Sequence, residues 1–195
     1  VPNGLMQEQM WPLLLERNQI DASKVDAIKM AATGMVAQLL QGKVDAILGS
    51  ADNYAIQIAK QGAKPYNIAF ADSGLATIAH SVIVNTDWAA ENPEIVKSFI
   101  AASMRGWQGA EKDQEGAVKA VAASFPSTTD HDRNLLELKA DLPLLCTNGA
   151  ESAGKATESA WENTWSILVG IGALPKTTKA TDFYTGVSRA IADKP

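Results

Sequence analysis

Along the chain the hydrophobic period changes once, near residue 86, and few architectures accommodate the change. Before it, short runs that alternate apolar and polar residues lie between stretches whose apolar residues recur three and four apart. That is the pattern of βα units in a parallel or mixed sheet. Leu5, Met6, Met10, Leu13 and Leu14 predict a first helix, with Asn3-Gly4 as the loop ahead of it. Segments 25–30, 44–49, 66–71 and 78–85 read as strands. Segments 33–41 and 51–61 read as helices closed by Gly42 and Gly62. Beyond residue 86 only helical periodicity remains. Asp87 is expected to cap a short turn, and Asn92-Pro93-Glu94 opens a long helix, with Pro93 tolerated in a first turn and Glu94 favourable at its positive end. Val96, Phe99, Ile100, Ser103 and Trp107 would form its buried stripe. Further helices are predicted over 114–124, 130–140, 153–172 and 181–192. The expected architecture is an α/β front over residues 1–79 and a mainly helical back over 80–195.

Composition narrows the function. A chain of 195 residues with 46% hydrophobic content can bury a sizeable core. The 22 acidic residues outnumber the 17 basic ones and no Lys/Arg cluster exists, so nucleic acid is not an expected partner. The longest apolar runs, such as 167–174, fall short of the roughly 20 residues that a spanning helix needs. Val1 is not followed by a charged and then apolar leader, so an export signal is expected to have been removed or to lie outside this sequence. Cys146 is the single cysteine, which excludes an intrachain disulfide, CxxC chemistry and a zinc cluster. It reads as a small buried hydrophobe. No cofactor, metal or catalytic residue is expected.

Several pieces then occur in a recognisable order: Gln19-Ile20-Asp21, Leu39-Leu40-Gln41-Gly42-Lys43-Val44-Asp45-Ala46, Gly62, Ala71-Asp72-Ser73-Gly74 and Val82-Ile83-Val84-Asn85. Glu91-Asn92-Pro93-Glu94 through Phe99, Trp107 leading to Glu115-Gly116-Ala117, and Trp161 through Gly172-Ala173-Leu174 complete them. Together they make the chain resemble the second half of the solute-binding proteins that serve nitrate, sulfonate, taurine and thiamine-precursor importers. The resemblance implies a type II periplasmic-binding-protein fold, in which two α/β lobes close on a solute. Residues 1–79 would be most of the second lobe. Residues 80–195 would be a crossover strand and helices returning to a first lobe whose sheet is absent from this sequence. It also implies a periplasmic or otherwise extracytoplasmic protein, a small-molecule solute, an ABC permease as membrane partner, and no covalent step. Members of that family are longer, so the sequence reads as a fragment whose exposed apolar faces favour self-association.

In an open α/β sheet, ligands bind beyond the carboxyl ends of the strands. Asn3 and Gly4 precede a helix whose free N–H groups suit a carboxylate, sulfonate or phosphate. Thr33 combines a hydroxyl with a second helix start, where capping alone would also explain it. Ser50 and Asn53 follow the 44–49 strand, beside Asp52 as a charge favourable to its helix. Asp72 ends the third strand, where a carboxylate suits an amine, amidine or aminopyrimidine, or simply accepts backbone N–H groups in a turn. Tyr54 and Trp88 are weaker contact candidates, and Trp161 and Trp165 read as core. His131, between Asp130 and Asp132, reads as a helix cap because adjacent residues on a helix cannot face one ion. His80 reads as a core or strand-edge residue, and Glu111, Asp113 and Glu115 as a solvated face. The helix starts favour a sulfonate, nitrate or aromatic acid, and Asp72 favours a thiamine-type pyrimidine. Two other functions stay open. One is an enzyme of thiamine-pyrimidine synthesis, although the cysteine-rich motif of such relatives is missing here. The other is the ligand-sensing domain of a cytosolic LysR-type regulator, which would need strands in the second half.

Overall fold

Eight α-helices carry the described part of the chain in the computed structural model, which describes residues 1–78, 81–127, 130–145 and 154–184. They are α1 (Met6–Arg17), α2 (Met35–Leu40), α3 (Ile56–Lys60), α4 (Thr86–Glu91), α5 (Pro93–Lys112), α6 (Gln114–Ser124), α7 (His131–Leu145) and α8 (Glu158–Gly170). A 3-10 turn, Ala32–Gly34, leads into α2, and one π turn, Ala51–Ala55, leads into α3. Gly42 and Gly62 end α2 and α3 with φ of 65° and 83°, and in each case the N–H groups of the glycine and of the residue after it return to the last helical turn. α5 opens on Pro93, as the Asn-Pro-Glu signal predicts. His80, Cys146, the first residue of the 153–172 helix and the part of the 181–192 helix beyond Tyr184 lie outside the described residues.

The chain divides into two units. The first comprises Val1–Ile78 and Thr157–Tyr184, and the second draws on the intervening stretch. In the first unit Met10 of α1, Leu75 and Ile167 of α8 form a buried cluster, with Leu13, Leu14, Phe70 and Ile171 packed around it. Leu75 and Ile167 are each only 1% exposed. The far end of the unit is tied to α8 by a hydrogen bond and a ring stack: Trp165 Nε1 donates to Thr178 Oγ1 at 3.0 Å, and Trp161 stacks on Tyr184 with ring centroids 5.3 Å apart. In the second unit Leu142 of α7 is buried against Met104 and Trp107 of α5 and against Leu138 and Leu145.

The expected α/β front is corrected by this structure: among the described residues no segment forms a β-ladder, and the described chain is helical with extended connections. One vestige of the βα pattern survives. Val1–Asn3 and Ile28–Met30 run parallel on either side of α1, joined by a bridge between Pro2 and Met30. The Val1 nitrogen donates to the Ile28 carbonyl at 2.8 Å, Met30 N–H to Val1 at 3.1 Å and Asn3 N–H to Met30 at 3.0 Å.

Two of the other predicted strands fail for nameable reasons. A two-residue period sets where side chains point, but a strand also needs a neighbour to complete its hydrogen bonds. Where the expected 78–85 strand would begin, that role falls to side chains of α8: Ile78 N–H donates to Thr164 Oγ1 at 2.9 Å, and Asn163 Nδ2 donates to the carbonyl of nearby Ala76 at 2.6 Å. Phe70 and Ala71, expected at the end of a strand, turn instead into the 3-10 segment Phe70–Ser73. Tyr66 and Ile68 stand exposed at 91% and 73%.

Three smaller expectations shift. The cap of α4 is Asn85, whose Oδ1 accepts from Trp88 N–H at 3.0 Å, while Asp87 sits in the first turn. The inward stripe of α5 is Val96, Ile100, Ser103, Met104, Trp107 and Ala110, and Phe99 is exposed at 57%. α8 begins at Glu158, capped by Thr157, whose Oγ1 accepts from Ala160 N–H at 3.1 Å.

Candidate functional site

Five of the six predicted site residues lie on three loops that the first unit joins in a chain of contacts. Asn3 N–H donates to the Met30 carbonyl, which places the Asn3-Gly4 loop beside the start of the 31–34 segment. Thr33 is exposed within the Ala32–Gly34 turn, and its neighbour Ala32 accepts a hydrogen bond from the Tyr54 hydroxyl at 3.3 Å. That bond links the 31–34 loop to the 49–54 loop, which carries Ser50 and Asn53. Ser50 is exposed, and its carbonyl accepts from Tyr54 N–H at 2.9 Å and Asn53 N–H at 3.3 Å. Asn53 is half-buried and its Oδ1 accepts from Gln57 Nε2 one turn on.

The sixth residue is elsewhere. Asp72 is exposed in the Phe70–Ser73 turn, next to Ser73 and Gly74, which meet the last turn of α1: Ser73 Oγ bonds Asn18 Oδ1 at 3.4 Å and Arg17 Nη1 donates to the Gly74 carbonyl. Asn3 and Gly4 stand at the other end of that 12-residue helix, about 18 Å away along its axis.

The start of α1 differs from its expected state as a vacant anion seat. Glu8 folds back and its carboxylate accepts from Gly4 N–H at 2.6 Å. It also pairs with Lys29 at 2.6 Å. The Lys29 ammonium first, and the Gly4 N–H next, hold the Glu8 carboxyl below its ordinary pKa. The helix therefore already carries an anion of its own at the end where negative charge is favoured. An acid at the third helical position is a readable capping signal, and Glu8 occupies that position after Leu5.

Tyr54 is the other residue whose role the sequence understates. Its ring stands so close to Gly49 that a Cβ at that position would collide with the ring edge. No local sequence pattern announces that contact, because it depends on how the chain turns between residues 49 and 54.

The remaining polar clusters are caps and ion pairs, and the cap of α7 is Asp130 rather than the expected His131. Asp130 Oδ1 accepts from Arg133 N–H at 3.0 Å and so caps α7. His131 Nε2 lies 3.1 Å from Glu115 Oε2 and Nδ1 lies 3.4 Å from Asp132 Oδ1. Among the described residues no group of three or more His, Cys, Asp or Glu is placed to hold a metal ion. No described helix is long and apolar enough to cross a membrane. A groove of about 390 Å³ opens beside α1, lined by Trp11, Leu15, Ile20, Val25 and Ala27, with Glu16 as its one charged group. None of the six predicted residues lines it, and it lacks the convergent polar groups that orient a polar solute.

Residues 2–117 match the family model described as NMT1/THI5 like, which is more than half of the chain. No curated protein and no solved structure was found to match. The matched span contains the three joined loops and extends to Gly116-Ala117, so the segment from Trp161 to Leu174 lies beyond it.

Proposed function

The chain belongs to the NMT1/THI5-like family, the family of nitrate, sulfonate and thiamine-precursor solute-binding proteins, and from that premise we propose that it serves an ABC importer by capturing a small polar solute outside the cytoplasm. The observation that carries this reading is the family match across residues 2–117, the stretch that holds Asn3, Gly4, Thr33, Ser50, Asn53 and Asp72. In this reading the loops bearing the first five residues form one wall of the solute site. Residues 1–79 act as most of one lobe, joined there by 157–184, and the remainder of 80–195 as the crossover and the helices of the other. The solute favours the closed state through hydrogen bonds made only when the lobes meet, and the closed surface is what the permease recognises. No covalent step is needed.

The ligand classes separate on charge. A sulfonate, nitrate or aromatic acid at the start of α1 must displace Glu8 from Gly4 and take over Lys29. A pyrimidine leaves that arrangement in place. Calorimetric titration of the purified protein with taurine, an alkanesulfonate, nitrate, a phthalate and a hydroxymethylpyrimidine decides the matter. Saturable binding of one of them without turnover supports capture and transport. Slow conversion of any compound replaces it with the enzymatic alternative known from thiamine-pyrimidine synthesis, and silence towards all five removes the proposed ligand set.

A further inference from the structure

We infer that Tyr54 is a positioning residue that latches the 31–34 and 49–54 loops together, so that Thr33, Ser50 and Asn53 present one preformed surface. Its functional consequence rests on the solute-binding reading above; the latch itself rests on geometry. Tyr54 is anchored three times. Its N–H closes its own turn on the Ser50 carbonyl at 2.9 Å. Its ring covers Gly49 at a distance that leaves no room for a Cβ. Its hydroxyl crosses to the other loop and donates to the Ala32 carbonyl at 3.3 Å.

The Ala32 carbonyl is well chosen for such a link. It also accepts from Met35 N–H at the start of α2, and Met35 is completely buried. A pull on Ala32 is therefore transmitted to a helix that is fixed in the core. Thr33 lies between the two attachment points, and Ser50 and Asn53 lie within the turn that Tyr54 closes. Loops already held in their bound arrangement lose less freedom when a ligand arrives, and that difference appears as affinity. The role explains why the predicted 44–49 strand ends on glycine: any side chain at residue 49 evicts the ring.

The test combines amide hydrogen exchange with calorimetric titration on Tyr54→Phe, Gly49→Ala, Tyr54→Ala and the double variant. Tyr54→Phe keeps the ring packed and removes only the hydroxyl, so its melting temperature stays close to that of the wild type. Its Gly34 and Met35 amides should exchange about two- to tenfold faster, the range set by one lost hydrogen bond, while α5–α7 amides are unaffected. Gly49→Ala should speed exchange in both loops when Tyr54 is present and do little when Tyr54 is already alanine, because no ring remains to collide. Affinity for whichever of taurine or hydroxymethylpyrimidine the wild type binds should fall in the same order.

Unchanged Gly34 and Met35 exchange in Tyr54→Phe overturns the latch. So does a Gly49→Ala effect of equal size with and without the ring. If the wild type binds none of the five compounds titrated above, the proposed ligand set fails on its own while exchange still decides the latch. If the loops loosen and affinity does not move, the positioning role is overturned.

Discussion

The first unit closes its core with Met10, Leu75 and Ile167, residues from three distant parts of the chain, whereas the second closes its core within the single run from Met104 to Leu145. The difference is one of connectivity rather than chemistry, since both clusters are aliphatic with a few larger side chains around them. A core of helical neighbours forms from short loops. A core that waits for α8 must first close the whole intervening chain, which costs entropy before any contact rewards it. The polar contacts follow the same division. In the first unit, side chains of α8 satisfy backbone groups more than eighty residues away. In the second, Asp113 and Asp130 bond N–H groups three residues on.

The comparison is most exposed at Ile167. Ile167→Ala removes a side chain that is 1% exposed and should cost about 2–5 kcal/mol. Exchange protection should be lost together in α1 and 70–78, with α5–α7 retained. If α1 keeps its protection, the first unit does not depend on α8 as the cluster implies.

Leu142→Ala is the mirror case. Its neighbours are only partly buried and can collapse into the space, so a cost of about 3 kcal/mol is expected. The loss should be confined to α5–α7, and spread into α1 would break the distinction between local and distant cores.

Thr164→Val should be smaller, about 2 kcal/mol, because it leaves the Ile78 N–H without its acceptor while preserving shape. Faster exchange of the Ile78 amide with little change at α5 sharpens the claim that α8 replaces a neighbouring strand.

The smallest effect belongs to Glu8, which is an exposed-site interaction. Its carboxyl pKa is depressed in the folded protein by Lys29 and Gly4, so the stabilisation is present above the unfolded value of about 4.3 and is lost as pH falls through the folded value. The Gly4 amide should exchange faster relative to its intrinsic rate once the carboxyl protonates, and in Glu8→Gln at neutral pH. A Gly4 amide indifferent to both would remove Glu8 from the start of α1.

Much of the helical fold is legible in the sequence because its signals are local. Asn92-Pro93-Glu94 opens α5, Gly42 and Gly62 end α2 and α3, and the period of Gln114–Ser124 gives α6 at both ends. The strands were legible only as alternation. Alternation at 66–69 leads to exposed Tyr66 and Ile68, and at the start of 78–85 to a bond between Ile78 and Thr164, because pairing partners are chosen in space. The site follows the same rule. Helix starts marked Asn3, Gly4, Thr33, Ser50 and Asn53, while their junction through Met30, Ala32 and Tyr54 arises between segments that share no local pattern. Asp72 looked equivalent to the others as a loop residue, yet α1 separates it from Asn3 and Gly4 by its own length.

By itself the sequence determined most of the helices, the opening of α5, the ends of α2 and α3, the family and the residue types available for a polar solute, since each depends on side chains within a turn or two or on their order along the chain. Only the tertiary structure decided which loops meet, that Glu8 fills the start of α1, that Tyr54 rests on Gly49 and that α8 returns to the first unit. Those outcomes depend on contacts between residues far apart in sequence, whose free energies are settled by packing and hydrogen-bond satisfaction rather than by local preference.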